Sequence, residues 1–140
     1  MNSMTYNFEL YQGNDDIYVL KFEETDNDNN KVNANLSGYS FVLTVKDSVT
    51  SPSKVQLTSE DANIKLGVLD SSGNFSASST NPYAIQIHFP HEITEKMLQP
   101  KYVYDLFGIK SNGIRELLLK GELRVSRGVT YGGSTSTRHY

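Results

Sequence analysis

The side chains able to do chemistry here are few, and their spacing argues against most of it. Of three histidines, His88 and His91 flank Phe89-Pro90, where a strand pattern breaks, and His139 lies far along the chain. Two imidazoles alone make an incomplete metal site, because tetrahedral zinc needs a third or fourth protein ligand. Glutamates such as Glu92 and Glu95 are too common to complete it, so both histidines are expected to face solvent at a corner. Asp26, Asp28 and Asn30 imitate the opening of a calcium loop. Lys31 then stands where glycine is needed and Ser37 where a bidentate glutamate belongs, which leaves a hydrated acidic loop. The carboxylate pairs Asp15-Asp16, Glu23-Glu24 and Glu60-Asp61 cannot cooperate as acid and base on strands, where neighbours point to opposite faces. Serines cluster in turns, as at Ser71-Ser72 and Ser78-Ser79, and there is no Gly-x-Ser-x-Gly elbow, phosphate loop or cysteine. The expectation is a protein with no catalytic, cofactor or metal residues.

The elements that would hold any site read as β throughout. Tyr6, Phe8 and Leu10 alternate with polar residues; after Gln12-Gly13-Asn14-Asp15-Asp16, Tyr18, Leu20 and Phe22 oppose Ile17, Val19 and Lys21. Asp26 to Asn35 reads as loop. Leu36-Ser37-Gly38 leads into Tyr39, Phe41, Leu43 and Val45; Val55 with Leu57, and Ile64 with Leu66 and Val68, give two shorter strands. Phe75 to Asn81 reads as loop or weak edge. Tyr83, Ile85, Ile87 and Phe89 alternate until Pro90. His91 to Gln99 carries the one short helical turn, with Glu92, Ile93, Met97 and Leu98 turned inward. From Tyr131 to Tyr140 no apolar period survives, which predicts a flexible tail after a domain spanning 1–130.

The last third gives a register. Asn112-Gly113, taken as a two-residue type I′ turn, sets Leu106 opposite Leu119, Tyr102 opposite Leu123, Tyr104 over Gly121, and Asp105 against Lys120. These are favourable cross-strand pairs. One pair dissents, Lys110 against Arg115. The same register puts Val103, Phe107, Ile109 and Leu118 on the outer face, a candidate interface to which Tyr131 and Tyr140 of the tail could add. Met97 to Tyr102 also has the shape of the loop that precedes the corner tyrosine of an immunoglobulin-type sandwich. The fold class read from these patterns is all-β and antiparallel, a sandwich or small barrel. Its expected core is Tyr39, Phe41, Leu43, Ile85, Ile87, Tyr104, Leu106, Leu119 and Leu123.

Composition sets outer limits. A chain of 140 residues, 37% hydrophobic and 11% aromatic, suffices for one core, and without cysteines no disulfide can staple it. The opening residues lack a signal-peptide pattern and no apolar run approaches the ~20 residues that cross a bilayer, so a soluble chain made in a cytoplasm, with no membrane partner, is expected. Residues 1–62 hold 10 acidic and 4 basic groups, a balance of −6; residues 63–140 hold 6 and 9, a balance of +3. The basic residues are scattered and not interleaved with aromatics, which speaks against nucleic acid. The asymmetry fits either two ordinary solvated surfaces or faces that complement those of neighbours.

An ordered set of segments carries a resemblance: Gln12-Gly13-Asn14-Asp15, Leu36-Ser37-Gly38-Tyr39, Tyr102-Val103-Tyr104-Asp105-Leu106, Asn112-Gly113, and Leu118-Leu119-Lys120-Gly121 ahead of Val129-Thr130. With these the chain resembles small immunoglobulin-like virion proteins of tailed bacteriophages, including the N-terminal domain of baseplate upper proteins. It departs from them in a longer, Asn-rich loop before Leu36 and in Lys101, where the family often has glycine. The resemblance implies the fold, an immunoglobulin-like antiparallel β-sandwich, and a non-enzymatic docking module in tail, baseplate, neck or capsid fibre. It implies synthesis in the bacterial host cytoplasm, residence in the virion, other virion structural proteins as partners, and several copies around a symmetry axis. The alternatives are a capsid decoration or fibre-attachment protein, and a carbohydrate-binding module using some of the nine tyrosines.

Overall fold

A computed structural model of the chain describes residues 4–50 and 53–127. Twelve strands and one helical turn follow each other: β1 (Met4–Thr5), β2 (Phe8–Tyr11), β3 (Asp16–Lys21), β4 (Glu23–Thr25), β5 (Lys31–Asn33), β6 (Ser40–Lys46), β7 (Ser53–Thr58), β8 (Ile64–Leu69), β9 (Phe75–Ala77), β10 (Ala84–Phe89), α1 (His91–Thr94), β11 (Lys101–Ile109) and β12 (Arg115–Ser126). One sheet runs β1-β12-β11-β6-β7, with β2 continuing along β12 beyond β1. The second runs β3-β10-β8-β9, and β4 pairs with β5 as a separate ribbon. This is an all-β, immunoglobulin-type sandwich in strand order. Both first strands join β12 in parallel, so the chain enters on the first sheet and crosses to the second only at β3.

Alternation explains which face each strand buries. Phe8 and Leu10 of β2, Phe41, Leu43 and Val45 of β6, Ile85, Ile87 and Phe89 of β10, and Tyr102, Tyr104 and Leu106 of β11 form one buried cluster between the sheets. The expected core is present but for Tyr39. Tyr39 is only half-buried and packs against it from the side, over Gly108. Pro90 ends β10, its carbonyl accepting the amides of Ile93 and Thr94, and α1 carries the chain to the first sheet. There the Tyr102 hydroxyl accepts the Gln99 N–H at 3.1 Å, the tie expected of a corner tyrosine.

Four readings from the sequence need correction or sharpening. First, the β11–β12 turn is not two residues long. Gly113 N–H donates to Lys110 C=O and Lys110 N–H to Ile114 C=O, closing a three-residue loop in which Gly113 alone takes a positive φ, +88°. Below it the pairing is one residue out from the expected register, with Ile109 opposite Arg115 and Phe107 opposite Leu117. A bulge at Leu118 restores it, so Leu106–Leu119, Asp105–Lys120, Tyr104–Gly121 and Tyr102–Leu123 pair as expected. The dissenting Lys110–Arg115 pair does not exist. Second, Asp26 to Asn33 is no plain loop but most of a hairpin of the same design. Asn29 takes φ +65° in it, and Asp26 Oδ1 accepts the amides of Asp28 and Asn30. Asp70 repeats the device with Ser72 and Asn74, and Gly73 supplies the positive φ.

Third, Phe75 to Ala77 is a true edge strand on β8. Fourth, the helix stops at Thr94. Thr94 and Met97 are buried, whereas Glu92 is exposed and Leu98 is 65% exposed. The tail reading from Tyr131 to Tyr140 lies outside the described residues. Among those described, no helix is long and apolar enough to cross a membrane.

Candidate interaction surface

The outward face of the first sheet is built by the odd residues of β11 and their neighbours. Val103, Phe107 and Ile109 are half-buried there, beside Val42 and Thr44 of β6. Leu118 is not among them. The bulge turns it inward with Leu119, leaving it 1% exposed against Gly108, and Leu117 takes its place opposite Phe107. The signal was in the sequence: three consecutive leucines cannot all alternate, and Lys110 against Arg115 marked a register wrong beside the turn. Tyr131 and Tyr140, also expected at this surface, lie outside the described residues.

Val103, Phe107 and Leu117 floor a shallow groove of about 420 Å³, with Val49 at its edge and Lys46, Asp105, Lys120 and Glu122 along its rim. Arg115 lays its guanidinium 4.7 Å from the centre of the Phe107 ring, a cation–π contact that covers part of an otherwise open aromatic. Lys101 reaches Glu122 at 3.4 Å and Arg124 reaches Glu122 at 3.3 Å, so the charges beside the apolar floor are mixed. Apolar centre and polar rim is the anatomy of a protein-docking patch. The Phe75–Ala77 strand belongs to the other sheet and does not cover it.

The histidines meet elsewhere, on Asp15. His88 Nε2 stands 3.0 Å from Asp15 Oδ1, His91 Nδ1 3.1 Å from Oδ2, and the His91 backbone N–H donates to Oδ1 at 2.9 Å. His91 Nε2 also reaches Glu92 at 3.3 Å. The His91 amide first, then the His88 ring, hold the Asp15 carboxyl down at about 2. The Asp15 hydrogen bond first, then the charge of Glu92, raise His91 above its ordinary value. Asp16 faces elsewhere, taking the Tyr11 N–H and the Asn14 amide. Thr94, fully buried, donates its hydroxyl to Asn14 C=O at 2.7 Å, and Gln12 reaches Glu95 C=O at 3.2 Å.

The segment Gln12-Gly13-Asn14-Asp15 is thus clasped to the α1 turn, joining two loops at one end of the sandwich. Sequence reasoning set the histidines against each other and missed the aspartate between them, 73 residues away. Among the described residues no group of three or more His, Asp or Glu side chains is placed to hold a metal ion. Of Asp26, Asp28 and Asn30, Asp26 commits its carboxylate to the turn, accepting the backbone N–H groups of the other two. No protein-family model matches this chain, and no curated protein does.

Proposed function

We propose that this protein is a non-enzymatic structural component of a tailed bacteriophage virion, an assembly and docking module in which a stiff sandwich presents one sheet face to neighbouring virion proteins. One observation carries the reading: the groove on the first sheet, where Val103, Phe107 and Leu117 lie open between mixed charges. An apolar floor of this kind on an outward sheet face fits a partner surface. The segments quoted for the resemblance also have structural work. Gln12 to Asp15 forms the clasp, Gly38 makes the turn into β6 with φ +78°, and Gly121 lets β12 pass the first strands. The carbohydrate alternative finds less support, because Tyr18, Tyr83, Tyr102 and Tyr104 commit their hydroxyls to backbone groups.

The test is Phe107→Asp, made in the phage that encodes the chain. The expected result is loss of the protein from assembled particles, with the purified variant keeping the circular-dichroism spectrum and melting temperature of the parent. Particles that incorporate the variant normally would remove the groove from the assembly.

A further inference from the structure

The two sheets treat their neighbouring edges differently. Beyond β12, the outer edge of β2 is sealed by side chains from β3. The Tyr18 hydroxyl accepts the Glu9 N–H and donates to the Glu9 carbonyl, and Asp16 Oδ2 takes the Tyr11 N–H. Among the described residues the edge of β3 itself has no such cover. Phe22 N–H bonds Tyr83 C=O, so the even-numbered residues of β3 face β10. Ile17, Val19 and Lys21 therefore turn their N–H and C=O groups away, and among the described residues no strand pairs with them. Their side chains lie on the outer face, with Ile17 57% and Val19 40% exposed. An open edge carrying apolar side chains is a template for another strand.

We infer that β3 is a second interaction surface and that its occupant is the β3 of a second copy, paired antiparallel about a two-fold axis at Tyr18. The sequence of the edge selects this occupant, because it is complementary to itself. With the axis at Tyr18, Ile17 falls opposite Val19 of the second copy, and each such pair exchanges both backbone hydrogen bonds. Asp15, half-exposed within its clasp, falls opposite Lys21, which Glu23 approaches at 3.6 Å in its own chain, so opposite charges lie at both ends of the joint, as an isologous contact requires. Moving the axis to Val19 would set Ile17 against Lys21 and Asp15 against Glu23, so the apolar pair first and the charges second favour the axis at Tyr18. The second sheets of two molecules then become one continuous sheet, while the groove on each first sheet stays free. The inference goes beyond the virion reading and does not depend on it.

The experiment combines sedimentation equilibrium with amide exchange on the full chain. Self-association is expected, with the amides of Ile17 and Val19 exchanging more slowly as concentration rises, while those of Tyr18 and Leu20, already bonded to β10, change far less. Ile17→Lys with Val19→Lys changes exposed positions only and should give a folded monomer with the parent's spectrum. Lys21→Glu should weaken association about tenfold at low salt, because the two-fold repeats the altered pair. A chain that stays monomeric at the concentrations of an NMR sample would overturn the proposal. So would association that survives the double lysine variant, or that is abolished by Phe107→Asp instead; only that last result would point back to the groove.

Discussion

Asp15 shows how much one carboxylate can organise when it receives a backbone amide and two imidazoles. Its pKa is depressed, so what it adds to the clasp is present above its ordinary value near 4 and is lost as pH falls toward about 2. His91 is raised, so its contribution is complete below its ordinary value near 6.5 and is lost as pH rises through the raised one. The clasp is therefore tightest between about pH 4 and 6.5. In Asp15→Asn an NMR titration should return His91 toward the ordinary histidine value, though Glu92 and Glu95 nearby keep part of the rise. An unchanged His91 titration would mean Asp15 is not its partner in solution. Gly121 makes the opposite point, since it acts by lacking a side chain. A Cβ there would sit 2.1 Å from the Tyr6 carbonyl oxygen at a φ of +156°, in the gap between β1 and β2. Gly121→Ala should destabilise the protein by about 3 kcal/mol, read from urea unfolding, through overpacking and backbone strain together.

The elements differ in how plainly the sequence announced them. Strands whose apolar residues alternate over six or seven positions, such as β6 and β10, were legible because period two admits one burial pattern. β4 and β5 were not, since Glu23-Glu24-Thr25 and Lys31-Val32-Asn33 bury nothing and are held by their ladder and the Asp26 turn. The β11–β12 hairpin lay in between. Its central pairs could be read, because a longer turn and a one-residue bulge cancel. Its tip could not, and Leu118 was assigned to the wrong face for that reason. The two faces can be separated by experiment. Leu118→Ala, in the core, should cost about 3 kcal/mol in urea unfolding. Leu117→Ala, on the groove floor, should cost under about 1 kcal/mol of stability, since its burial is partial. Equal costs would place both leucines on the same side. The clasp was illegible for another reason: no local pattern links Asp15 to residues more than seventy positions on, and only the closed sandwich brings them together.

At the scale of the whole molecule, the design is a rigid body with loops tied at one end and two unlike surfaces, an apolar groove and an uncovered strand. Both surfaces sit on strands, not on loops, so their geometry is set by the core and not by loop conformation. The route of the first strands also governs how the body would bear load. β1 and β2 run parallel to β12, so tension drawn along the chain from Met4 to Arg127 pulls these neighbours in opposite directions along their length. Their hydrogen bonds then resist together, in shear, and do not open one by one like a zipper. Single-molecule stretching should accordingly find one abrupt, high-force rupture at the seam between the first and last strands. Mechanical toughness would then follow from chain routing alone, whatever the neighbours of the molecule.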